Sequence, residues 1–85
     1  MVKGKILRVW VLAGPAKPQL GLIVSRKAEA RASARNLWKR RVREAFRRNQ
    51  DKIKPAVILV QALKVPKIPA YAEIETELIA LLKKA

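Results

Sequence analysis

Residues 34–49 set Trp38, Val42, Ala45 and Phe46 among seven Arg and Lys residues. At about 100° per residue these four side chains fall within one arc. The stretch therefore predicts a helix with one buried aromatic stripe and an otherwise cationic surface. It should run from about Ala34 to Asn49, with Ser33 as its cap. Arg35, Lys39, Arg43 and Arg47 step four residues at a time beside the stripe. Asn36 and Arg40 lie in or next to that sector, and Arg41 and Arg48 emerge on the opposite flank. So charged a helix needs an apolar partner to cover its stripe.

The rest of the chain supplies one. Residues 5–12 and 19–25 read as strands, and the short loop between them predicts an antiparallel pair. In the first strand Leu7, Val9 and Val11 should face the core, leaving Arg8 and Trp10 as neighbours on the more open face. Gly21 marks either a bulge or a close approach by a side chain or ligand. Residues 56–62 form a near-continuous apolar run, expected as a central strand buried on both faces. Pro66 and Pro69 interrupt regular structure. A last helix, about 70–84, takes its apolar face from Tyr71, Ile74, Leu78, Leu81 and Leu82. The order ββαβα predicts an α/β (α+β) two-layer sandwich, with residues 1–85 as a single domain. The crossover between the second and third strands is right-handed by the general rule.

Charge and composition narrow the function. Lys and Arg number 20 against 6 Asp and Glu, a net +14. Residues 1–50 hold fourteen basic and two acidic residues, so +12 of that charge lies there. A focused positive field favours a polyanion, whose binding releases counterions. With no Cys and no His, thiol nucleophiles, histidine bases and zinc fingers are excluded. The six acids are dispersed, and Glu73 and Glu77 read as a surface i,i+4 pair, so no nuclease metal site is expected. Glu44 should pair within the protein, with Arg40 four residues before it. No apolar run spans a bilayer and the start lacks a secretory h-region, which points to a soluble cytoplasmic protein without a membrane role.

The segment Arg35-Asn36-Leu37-Trp38-Lys39-Arg40-Arg41-Val42-Arg43-Glu44 resembles the signature helix of the protein subunit of bacterial ribonuclease P. The preceding Leu20-Gly21-Leu22-Ile23-Val24-Ser25-Arg26-Lys27 is similar to that family's strand ending in Ser and two basic residues. The family usually has Arg where this chain has Leu37, and a Gly-x-Ala-Val approach where it has Ala30-Arg31-Ala32-Ser33. It also usually begins with a helix; here a strand is expected almost at Met1, so the chain reads as a short form without it.

The resemblance implies a fold related to the second domain of ribosomal protein S5, with a left-handed βαβ crossover in place of the usual hand. It implies a non-catalytic subunit that binds the catalytic RNA and precursor tRNA and assists removal of the tRNA 5′ leader. Mg²⁺ would act at the RNA active site, and no obligate protein partner is implied. The expected RNA-binding residues are Arg26, Lys27, Arg31, Arg35, Asn36, Lys39, Arg40, Arg43 and Arg47. Lys5, Arg8, Trp10 and Ser25 are candidates for the leader. Trp10 either stacks on an unpaired base or lids the core, and the Ser25 hydroxyl either meets the leader or caps a loop. A small basic ribosomal or RNA-chaperone protein is the alternative on charge. A DNA-binding module with the helix in the major groove is a third reading.

Overall fold

The computed structural model describes residues 1–14 and 16–84. Pro15, part of the loop expected at 14–18, lies outside the described residues. The elements are β1 (Val2–Lys3), β2 (Leu7–Ala13), β3 (Gln19–Ile23), α1 (Ala32–Arg48), β4 (Ala56–Ala62) and α2 (Tyr71–Lys84). A 3₁₀ turn at Gln50–Lys52 joins α1 to β4.

The four strands form one mixed sheet in the order β1-β2-β4-β3. β2 runs antiparallel to both β1 and β4, and β3 runs parallel to β4. The expected pairing of β2 with β3 is therefore wrong. β4 lies between them, because the most continuously apolar strand gains most from two neighbours. The loop after β2 has to cross two strand spacings, roughly 10 Å, which a few residues manage. β3, α1 and β4 make the expected βαβ unit.

β4 is central, but it is not buried on both faces. Ala56, Ile58, Val60 and Ala62 are buried, whereas Val57, Leu59 and Gln61 are only half-buried. Both helices pack on the first face, which also carries Leu7 and Val9 of β2. From α1 come Trp38, Val42, Ala45 and Phe46, the stripe read from its spacing. From α2 come Ile74, Leu78 and Leu81. Leu20 and Leu22 of β3 and Leu82 of α2 close the rim, half-buried. Val11 breaks the expectation: it faces the helix side yet remains 39% exposed, because the helices do not cover that end of β2. Gly21 marks a close approach rather than a bulge. Its pairing with Leu59 is in register, and a Cβ there would meet Leu59 Cδ1 at 3.0 Å.

Two local features moved element boundaries. α1 starts at Ala32, two residues before the expected position, and Arg31 at its N-cap makes no side-chain cap. Ser33 lies within the first turn. The strand expected at 5–12 begins only at Leu7, and an unexpected short strand, Val2–Lys3, precedes it; in the turn between them the Glu77 carboxylate accepts the backbone N–H groups of Lys5 (3.0 Å), Ile6 (2.7 Å) and Leu7 (2.6 Å). Glu77 is thus an inward anchor and not half of a surface pair. A Cβ at Gly4 would sit 2.5 Å from Glu77 Cδ, so the carboxylate in this position uses the space the glycine leaves.

Candidate nucleic-acid interface

The side of α1 away from the core carries Asn36, Lys39, Arg40, Arg43 and Arg47. Asn36, Arg40, Arg43 and Arg47 are exposed and Lys39 is half-buried. Among the described residues, the side chains of Asn36, Lys39, Arg40 and Arg43 make no hydrogen bond or ion pair. Three full charges and an amide are therefore held on one face by the burial of the opposite stripe.

Of the other candidates on and before α1, Arg31, Arg35 and Arg47 are engaged within the protein. Arg35 turns back: its Nη1 donates to the carbonyls of Glu29 (3.1 Å) and Ala30 (2.8 Å), tying the approach loop to the helix. Arg31 Nε lies 2.9 Å from Glu29 Oε1. Glu44 holds Arg47 (2.5 Å) and Arg48 (2.9 Å) and leaves Arg40 free, correcting the expected pair. An acid placed N-terminal to its base is the better helical orientation. The side-chain hydrogen bond from Arg31 holds the Glu29 carboxyl below the usual carboxylate range, and those from Arg47 and Arg48 do the same for Glu44. Arg26 and Lys27 are exposed in the turn between β3 and α1.

On the opposite flank, Arg41 Nη1 donates to the Pro69 carbonyl and the Arg48 guanidinium lies 5.4 Å from the Tyr71 ring centre. Asn49 is a buried polar residue that the sequence did not single out. Its Nδ2 donates to Ala45 O (2.7 Å) and to Glu75 Oε2 (3.0 Å), and the Tyr71 hydroxyl donates to the same Glu75 oxygen (2.8 Å). These contacts lock α1 against α2 and fix which face α1 presents.

A second surface lies on the sheet face that the helices leave open. There the Arg8 guanidinium sits 5.9 Å from the Trp10 ring centre, and its Nε is buried with no partner among the described residues. Cross-strand register places Lys3 and Gln61 beside Arg8, and Leu59 beside Trp10. Trp10 is half-buried on this face, outside the helix-covered core, so it does not lid that core. Lys3 and Gln61 were missed, since only the register reveals them. Lys5 sits in the β1–β2 turn, not in the strand. The Ser25 hydroxyl accepts the Ala28 N–H at 3.1 Å, which makes it a loop cap. Among the described residues no group of three or more acidic side chains gathers as a metal site.

Fold and surface define a class: a two-layer α/β sandwich presenting a cationic helix face and, on its other side, an open sheet face with a stacked Arg and Trp. The family model described as Ribonuclease P matches residues 1–85. The chain is 34% identical to the ribonuclease P protein component of Xylella fastidiosa over 79 residues, 93% of this chain and 58% of that protein. It superimposes with a TM-score of 0.86 and 28% identity on a Staphylococcus aureus RNase P protein mutant with defective mRNA degradation activity, over 98% of this chain and 71% of that one. For the RNase P protein of Thermotoga maritima in complex with 1-(4-fluorophenyl)-2-thiourea the TM-score is 0.84 at 28% identity, over 99% of this chain and 83% of that one. This chain belongs to the ribonuclease P protein family, and its mixed sheet with two helices is that family's α/β fold. It spans less than two thirds of the length of the curated relative.

Proposed function

We propose that the chain is the protein component of ribonuclease P, a non-catalytic accessory subunit that binds the catalytic RNA and precursor tRNA and assists Mg²⁺-dependent removal of the 5′ leader. The observation that carries this is the unpaired set Lys39, Arg40 and Arg43 with Asn36 on the outer face of α1. Arg40 and Arg43 can fork two N–H groups onto a phosphate, while Lys39 acts as a point charge. Asn36 offers a donor and an acceptor to a base or a 2′-OH. Arg47 and Arg31 join when phosphate displaces their carboxylates, and Arg26 and Lys27 extend the track toward β3. Arg35 acts by positioning the loop ahead of the helix.

The open sheet face is the second contact in this reading. Trp10 stacks on an unpaired leader base, and Arg8, with Lys3 beside it, meets the neighbouring phosphates. Residues 1–85 work as one RNA-binding unit in the cytoplasm. The protein lowers phosphate repulsion between two RNAs and so lets Mg²⁺ bind at the RNA active site; hydrolysis belongs to the RNA.

The test is reconstitution with a bacterial catalytic RNA at low Mg²⁺, using precursor tRNA with and without its leader. Faster cleavage, with a larger gain for the leader-bearing substrate, supports the proposal. No acceleration, or equal affinity for unrelated structured RNA and duplex DNA at matched salt, overturns it.

A further inference from the structure

The uncovered end of the helix-facing layer forms a recessed groove. Its floor is Ile58, 1% exposed, with Val11 beside it in cross-strand register. Its walls are Ile53, after the 3₁₀ turn, and Ile79 and Leu82 from the last turns of α2. The cavity measures about 430 Å³, within the range of small-molecule sites. Lys52, Lys54 and Lys83, drawn from two separate segments, stand around it, and no acidic residue lines it.

The chemistry of the lining selects the occupant. The six aliphatic side chains, Ala56 included, offer no hydrogen-bond partner and the lysines only donate, so a nucleobase inserted here would find no side-chain acceptor for its N–H groups. A bare phosphate would use the lysines and leave the walls idle. An apolar tail ending in one anionic head uses both.

We propose that this groove binds a free alkyl carboxylate, one chain per protein, with the tail against Val11, Ile53, Ile79 and Leu82 and the carboxylate among the three lysines. None of these residues belongs to the surfaces assigned to RNA, so the site stands or falls separately from that assignment.

The test is a methyl-resolved NMR titration of the whole chain with hexanoate, octanoate and decanoate, each below its micelle-forming concentration. Saturable shifts should be confined to the methyls of Val11, Ile53, Ile58, Ile79 and Leu82. Affinity should rise with tail length, by at most about fourfold per added CH₂. Octanol, which lacks the head, should bind more weakly than octanoate, and the triple variant K52A/K54A/K83A should lose that difference. Val11→Trp, at a position already exposed, should fill the groove and abolish the shifts in a chain that remains folded by its amide spectrum. Absent shifts, no dependence on tail length, equal binding of octanol, competition by uridine monophosphate, or binding only to fatty-acid-containing vesicles would each overturn the proposal.

Discussion

Arg43 and Arg47 stand one turn apart on α1, yet they are not equivalent cations. Arg47 is held by Glu44, and any phosphate must compete with that carboxylate. Arg43 faces solvent without such a partner. Arg43→Ala should therefore weaken RNA binding and lower the salt slope of log K by about 0.7–1, with an unchanged melting temperature. Arg47→Ala should move the slope less, and salt titrations of the two variants side by side decide it. Arg35→Ala belongs to a different kind. It strips a charged donor from two loop carbonyls, so it should cost about 1–2 kcal/mol of stability in urea unfolding as well as RNA affinity. Residue spacing made the cationic face legible, because helical periodicity is local information. It did not reveal which cations are already spent, since Glu29, Glu44 and the loop carbonyls find their partners only once the loop is folded.

Among the elements, α1 depends on its stripe and on its tie to α2. Phe46 is 6% exposed within the core, and Phe46→Ala should cost about 3–5 kcal/mol, read from the denaturation midpoint. The tie to α2 gives a pH dependence. Hydrogen bonds from Asn49, then Tyr71, hold the Glu75 carboxyl below its usual range. A carboxyl lowered on folding stabilises the protein at pH values above the unfolded-state pKa, about 4.3. That contribution fades as pH falls through the lower folded value. Glu75→Gln should flatten the acid-side loss of stability that sets in as pH falls below the ordinary carboxylate range, measured as urea midpoints on the acid side. The stripe was readable because Trp38, Val42, Ala45 and Phe46 keep helical period. The start of α1 was not, because no side chain of the Ser, Thr, Asp or Asn kind caps it and Ser33 looked suitable. The strand pairing was hidden for another reason: a short loop says that two strands are near in space, not that nothing lies between them.

At the scale of the whole molecule, the two surfaces assigned to RNA lie on opposite layers, the α1 face above the sheet and the Arg8–Trp10 face beneath it. Substitutions in the two should then act independently. Lys39→Ala with Arg43→Ala should weaken binding whether or not the substrate carries a leader. Arg8→Ala with Trp10→Ala should weaken it only when the leader is present. Combining both pairs should add their free energies to within about 0.5 kcal/mol, as measured in a double-mutant cycle of dissociation constants. The layers and the family likeness were legible from element order and from the Arg35–Glu44 motif. The division of the sheet into a covered and an open face required the register, because residues 56–62 are apolar except for Gln61 and one polar residue gives little alternation to read.

The contact between Glu77 and the turn at Gly4 ties the histories of two positions that lie far apart along the chain. A side chain at position 4 would crowd the Glu77 carboxylate where it now sits, so a change at position 4 requires that carboxylate to shift away from the amides it accepts. Across descendants of this protein the two should change together: where the glycine is replaced, a shorter or retracted residue should occupy the other site, and the backbone amides of the turn should have found a different acceptor.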